Sequence, residues 1–149
     1  MMRIEYSFSD SNTTNIIKAD EMALRYNLFL GSLTLKKDNH SILIDWDWVP
    51  LLDFALCLLE IYKKLSNQSS GLQEFEFTES DAKLIFEKSI DKINIAASFS
   101  NETLETSFEE FQIATKKFYK DVINDILVKN KEIKENATFT KYLQETERM

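Results

Sequence analysis

The sequence predicts an α+β fold in which an antiparallel sheet of about five to seven strands packs against a buried helix (about 48–66) and a long C-terminal helix (about 107–130). Three observations carry this. Short segments with strict apolar-polar alternation recur along the first two thirds of the chain, as half-buried strands require. A nearly all-apolar stretch follows the single proline, Pro50. Ser107 to Glu110 spells the capping box Ser-x-x-Glu ahead of apolar residues at helical spacing. With 149 residues, 44% of them hydrophobic, the chain is expected to form one domain around one core, burying roughly two thirds of its unfolded surface.

The elements follow in order. Ile4, Tyr6 and Phe8 alternate with Arg3, Glu5 and Ser7, predicting a first strand, and the polar stretch from Ser9 to Asn15 interrupts it. From Ala23 to Leu35 one parity holds Leu24, Tyr26, Leu28 and Leu30 and the other Phe29, Leu33 and Leu35, which predicts a strand bulged or bent at Gly31. Residues 36–41 read as a hairpin turn and Ile42 to Trp46 as a short strand. Pro50 suits the first turn of the next helix, with Asp47 as its expected cap. On that helix Asp53, Cys57, Glu60 and Lys64 form one narrow polar stripe, expected to face solvent. Leu72 to Thr78, Ala82 to Phe86, Ile90 to Phe99 and Glu102 to Thr106 then predict an antiparallel meander joined by the turn Glu79-Ser80-Asp81. Phe108, Phe111, Phe118, Val122 and Ile126 mark the long helix, and residues 131–149 are expected to be a short docked helix or a frayed tail.

Composition narrows the chemistry. Two glycines and one proline argue against Gly-rich phosphate loops and Pro-rich linkers. One cysteine permits no internal disulfide, and no cleavable leader pattern precedes the first strand, so a cytoplasmic location is expected. The apolar run in residues 48–62 is interrupted by Asp53 and Glu60 and falls short of the roughly 20 residues that span a bilayer, so no membrane partner is expected. Net charge is −7, unevenly spread. Between Asp38 and Glu110 fifteen acids face five lysines, a balance of −10, whereas the rest holds ten acids and thirteen Lys or Arg, a balance of +3. Such a field repels phosphate backbones and speeds association with a basic partner.

No catalytic set emerges. The only histidine, His40, lies in a predicted turn, which leaves no second imidazole for a zinc motif, and Cys57 sits in the most apolar helix as a small hydrophobe. Asp45 with Asp47, Glu74 with Glu76, and Glu79 with Asp81 crowd carboxylates without the glycine and terminal glutamate of a calcium loop. No metal and no cofactor is therefore expected. The lysine clusters 116–120 and 129–134 are broken by Asp121, Asp125 and Glu132 and read as solvated helix faces rather than a nucleic-acid site. Trp46 and Trp48 lie two apart, sharing one face of an extended strand, with Trp46 the more open of the two.

The segments Tyr26 to Gly31, Trp46 to Ala55 and Phe75 to Asp81, within about residues 24–99, resemble small acidic bacterial immunity proteins of polymorphic or contact-dependent toxin systems. The resemblance implies a cytosolic α+β protein without catalysis that binds and neutralises a cognate toxin domain. With the doubled Asp-Trp pair and the acids of the meander as the expected contact face, the partner-binding residues are Asp45, Trp46, Asp47, Glu74, Glu76, Glu79 and Asp81. Two alternatives stand beside it. One is a small ligand-binding or hydrolytic domain with a pocket lined by Trp46 and Asp53. The other is a phage-type acidic inhibitor of a nucleic-acid-binding protein.

Overall fold

Seven strands divide between two antiparallel sheets in the computed structural model, which describes residues 1–9, 15–78 and 80–149. The first sheet has the order β1 (Arg3–Phe8), β2 (Leu30–Lys37), β3 (His40–Pro50). The second has the order β4 (Ser70–Glu76), β5 (Lys83–Ser89), β6 (Lys92–Ala97), β7 (Thr103–Ser107). Three helices complete the α+β fold: α1 (Leu51–Ser66), α2 (Phe108–Lys129) and α3 (Ala137–Glu147). The sheets meet where β7 lies beside β2 and β3. One face of each sheet packs under α1 and α2, and a single apolar core runs through both. Residues 131–149 are ordered as a 3₁₀ turn followed by α3, which docks through Phe139 and Ile133.

The segment Ala23–Asn27 departs from the expected strand and forms a π-helical turn. Leu24 and Leu28 share a strand parity, yet they are also four apart, and four is a helical step. Asp20 decides between the two readings: its side chain accepts the Ala23 N–H at 2.9 Å and its carbonyl the Leu24 N–H at 3.0 Å, starting the turn. Phe29, at φ 58°, then swings the chain into β2. The register does shift between Gly31 and Leu33, but the extra residues belong to β3. Gly31 itself sits in ordinary backbone; a Cβ there would lie 2.1 Å from the Ser7 carbonyl oxygen and 2.7 Å from Leu51 Cδ1.

Helix α1 begins at Leu51, with Pro50 in the N-cap position and no side-chain cap. Asp47 is not its cap. Instead the first N–H of the helix, on Leu51, donates to the Phe29 carbonyl at 3.1 Å. The other end is held by a buried lysine: Lys88 Nζ donates to the carbonyls of Leu65 at 3.0 Å and Gln68 at 2.7 Å, and lies 4.1 Å from the Phe108 ring centre. A cation on the last carbonyls of a helix also opposes the negative end of its dipole. The polar stripe on α1 is solvent-facing only at Glu60 and Lys64; Asp53 is buried and Cys57 half-buried.

The predicted capping box opens α2: Ser107 Oγ accepts the Glu110 N–H at 3.1 Å. The Glu110 carboxylate does not turn back to Ser107 N–H. It receives Lys37 Nζ at 2.9 and 3.1 Å and the Met2 N–H at 3.2 Å, joining the first sheet to α2. The Lys37 hydrogen bond, more than any other partner, holds this carboxyl down at about 2, below the ordinary glutamate value of 4.5. Two outcomes are expected. Because the folded value is depressed, Glu110 contributes stability above pH 4.5 that is lost as pH falls toward 2, so Glu110→Gln should flatten the stability curve in that window. Urea unfolding of both proteins at several acidic pH values measures this, and parallel curves would contradict it. Ile90, 73% exposed in the β5–β6 turn, is a β-branched residue held at φ 58°. Ile90→Asn should raise stability by about 1 kcal/mol, read as a higher urea midpoint.

Candidate functional site

The tryptophan segment is built on a bulge. Gly31 pairs with Val49 and Leu33 with Ile44, so Ser32 alone faces the four residues Asp45 to Trp48. Asp47 takes φ 64°, which aspartate tolerates better than most residues. Ser32 Oγ accepts the Asp47 N–H at 3.0 Å and donates to Asp47 Oδ1 at 2.9 Å, while Ser9 Oγ donates to the Asp47 carbonyl at 2.7 Å. The carboxylate of Asp47 is thus the clamp of the bulge as well as an exposed charge.

The bulge stacks the two indoles, with ring centres 5.3 Å apart and planes 16° from parallel. Trp46 also meets Phe77 edge-on at 5.0 Å and Phe99 at 4.7 Å, and so bridges the two sheets. Both tryptophans are half-buried, so the expected contrast between an open Trp46 and a core Trp48 is absent.

The Trp46–Phe77 contact sets the acidic bulge beside the end of β4. Asp45, Glu74, Glu76 and Asp81 are all exposed, and Glu79 lies outside the described residues. Glu74 and Glu76 stand on the open face of the second sheet, where Lys83 faces Glu76 in the ladder and comes within 3.7 Å of Glu74. Two further acids on this face escaped the sequence reading. Glu87 lies opposite Leu72, and Glu105 opposite Asn94 with Lys92 at 3.7 Å. The alternation within β5 and β7 was the signal that places them outward.

Beside the bulge a groove of about 820 Å³ opens along Met22, Tyr26, Leu30, Trp48 and Pro50, with Asn27 and Thr78 as its polar members. Its indole is Trp48, not Trp46. Asp53 takes no part in lining it, because Arg25 Nε and Nη2 both lie 2.7 Å from Asp53 Oδ1. Burial lifts the Asp53 carboxyl above the ordinary aspartate range, against the lowering pull of that guanidinium. Cys57 completes the cluster, with Sγ 3.5 Å from Arg25 Nη2 and 3.7 Å from Asp53 Oδ1. Burial, with the Asp53 charge behind it, pushes its thiol up to about 11.

His40 is exposed, with Nδ1 3.0 Å from Glu102 Oε2. Among the described residues no three His, Cys, Asp or Glu side chains gather as a metal site would require. No helix is long and apolar enough to cross a membrane among those residues. No family model, curated protein or solved structure matches the chain.

The chemistry of Cys57 is open to direct measurement. At pH 7.5 its reaction with an aromatic disulfide reagent should run on the order of a hundredfold slower than that of free cysteine, with the rate still rising at pH 9. A plateau below pH 9 would show the thiol to be far more acidic than its surroundings allow.

Proposed function

We propose that this chain is a non-catalytic immunity protein that binds and neutralises a cognate toxin domain in the cytoplasm through its acidic face. The observation that carries the reading is the junction at Trp46. There one half-buried indole joins the sheets, with Asp45 and Asp47 on its own strand and Glu76 and Asp81 on the segments flanking Phe77, all exposed. Nuclease domains that grip phosphate backbones are basic, and such an array of carboxylates offers them an alternative to phosphate. Exposed charge pairs contribute at most about 1 kcal/mol each, so they steer and orient the partner. Tight binding needs a desolvated aromatic anchor, and the edge of the Trp46–Trp48 stack supplies one. A phage-type inhibitor of a nucleic-acid-binding protein would use the same physics on a different basic partner.

The groove at Trp48 favours a second reading, a small ligand-binding domain. Its volume falls within the usual range of ligand sites, and its lining mixes aromatic and apolar side chains with two neutral polar ones. A neutral aromatic ligand that quenches tryptophan emission with saturation would support it.

The inhibitor reading is tested with the product of a neighbouring gene encoding a toxin domain, by co-expression and by binding kinetics. Asp47 clamps the bulge, so the informative variant spares it. Asp45→Lys with Glu76→Lys should keep the wild-type circular dichroism spectrum and slow association on the order of tenfold at low salt, with the difference shrinking as salt is added. Equal association rates at low salt would sink the acidic face as the docking surface.

A further inference from the structure

We propose that the open edge of β4 is a strand-addition site, and that its occupant is an extended segment of a basic partner with Lys or Arg at alternate positions. β4 is the outermost strand of its sheet. Its pairing with β5 runs through seven residues without a register shift. The Ile90 N–H donates to the Ser69 carbonyl and the Phe77 N–H to the Ala82 carbonyl, which fixes the phase of the ladder: odd-numbered residues bond β5. Ser70, Leu72, Glu74 and Glu76 therefore turn their N–H and C=O groups away from the sheet. Among the described residues no protein hydrogen bond reaches those groups.

Natural edges are blunted by charged side chains, lysine above all, or by proline, bulges or a covering element. β4 has no proline, lysine or bulge among its seven residues, its only charges are Glu74 and Glu76, and Leu72 is 53% exposed. What it carries on the open face is Leu72, Glu74 and Glu76, backed across the ladder by Glu87, Ile85 and Lys83. Three carboxylates against one ammonium disfavour a second copy of the chain, which would bring the same surplus. They suit a strand that sets cations opposite Glu74 and Glu76 and an apolar residue opposite Leu72, at the 4.5–5.5 Å Cβ spacing of cross-strand pairs. Main-chain bonds then supply affinity and the alternate charges supply register.

This deepens the inhibitor reading and rests on its basic partner. The probe is a blocked heptapeptide alternating lysine and valine, with two controls: a glutamate-for-lysine peptide, and a lysine peptide N-methylated at the amides that would face β4. With the lysine peptide at saturation, hydrogen exchange at the Leu72, Glu74 and Glu76 amides should slow at least tenfold. Both controls, and the Glu74→Lys/Glu76→Lys variant, should remove the effect. Unchanged exchange, or equal binding of the N-methylated peptide, overturns strand addition. Leu72→Pro deletes one outward N–H and leaves the bonds to β5, so it should also lose the toxin partner; if it fails to fold, the N-methylated peptide decides. Capture of the toxin by Leu72→Pro and wild type alike, but not by Asp45→Lys/Glu76→Lys, would refute strand addition and leave the acidic-face reading standing.

Discussion

The fold depends on one constraint: β3 must leave its sheet and become α1 with no loop between them. Pro50 is at once the last residue of β3, paired with Leu30, and the N-cap residue of α1. So abrupt a change of direction brings Leu51 against β2, where only Gly31 leaves it room. It also demands extra length on β3, which the four-residue bulge supplies, and a left-handed residue within it, which is Asp47. Phe29 accepts a second left-handed conformation, which for a bulky residue costs about 1–2 kcal/mol, and places its carbonyl under the Leu51 N–H. The strain is local, and its product is a helix start satisfied by backbone in place of a side chain.

That same turn organises the surface. The two indoles stack within the bulge, and Trp46 reaches Phe77 and Phe99, which lie just past the ends of β4 and β6. Trp48 is left to line the groove with the π-helical turn. Buried charge is handled with equal economy. Lys88 spends its ammonium on two carbonyls at the end of α1, and Asp53 meets Arg25 from the turn before β2. Each removes a desolvated group that would otherwise destabilise the helix it touches.

Much of this was legible in the sequence. The capping box at Ser107 and the apolar spacing behind it located α2 to within a residue, since both signals are local. The alternations of Phe75 and Phe77 and of residues 90–99 located β4 and β6, whereas the thin stripe through Ile133 left a docked helix and a frayed tail both open, and the structure has the docked one. Most of what failed did so where the partner is distant in sequence. Ala23–Asn27 read as strand because the parity of Leu24, Tyr26, Leu28 and Leu30 masked the local turn that Asp20 starts, and because the partner of Arg25, Asp53, lies 28 residues away. Asp53 read as solvent-facing because nothing near it names Arg25. Asp47 read as a helix cap because Ser32 and Ser9, which hold it, precede it by 15 and 38 residues. At the candidate site the acids were found by composition, but their arrangement around one aromatic junction is a property of sheet contact.

The acidic surplus acquires its force from where the lysines go. Of the five lysines between Asp38 and Glu110, Lys88 is buried on backbone carbonyls and Lys63 reaches across to Glu145 at 2.8 Å, while Lys64 stands exposed on α1. Only Lys83 and Lys92 remain on the open face of the second sheet, each 3.7 Å from a carboxylate, longer than a well-made charged hydrogen bond. The tighter pairs lie elsewhere: Lys36 with Glu5 and Lys37 with Glu110 on the first sheet, Lys117 with Asp121 on α2. Cations are thus spent where they hold helices and sheets together, and the face around β4 and the bulge keeps its negative potential. The basic strand proposed at β4 would meet one loose, solvated pair there, Lys83 with Glu74, of small energy, beside exposed carboxylates at Asp45, Glu76, Asp81 and Glu87.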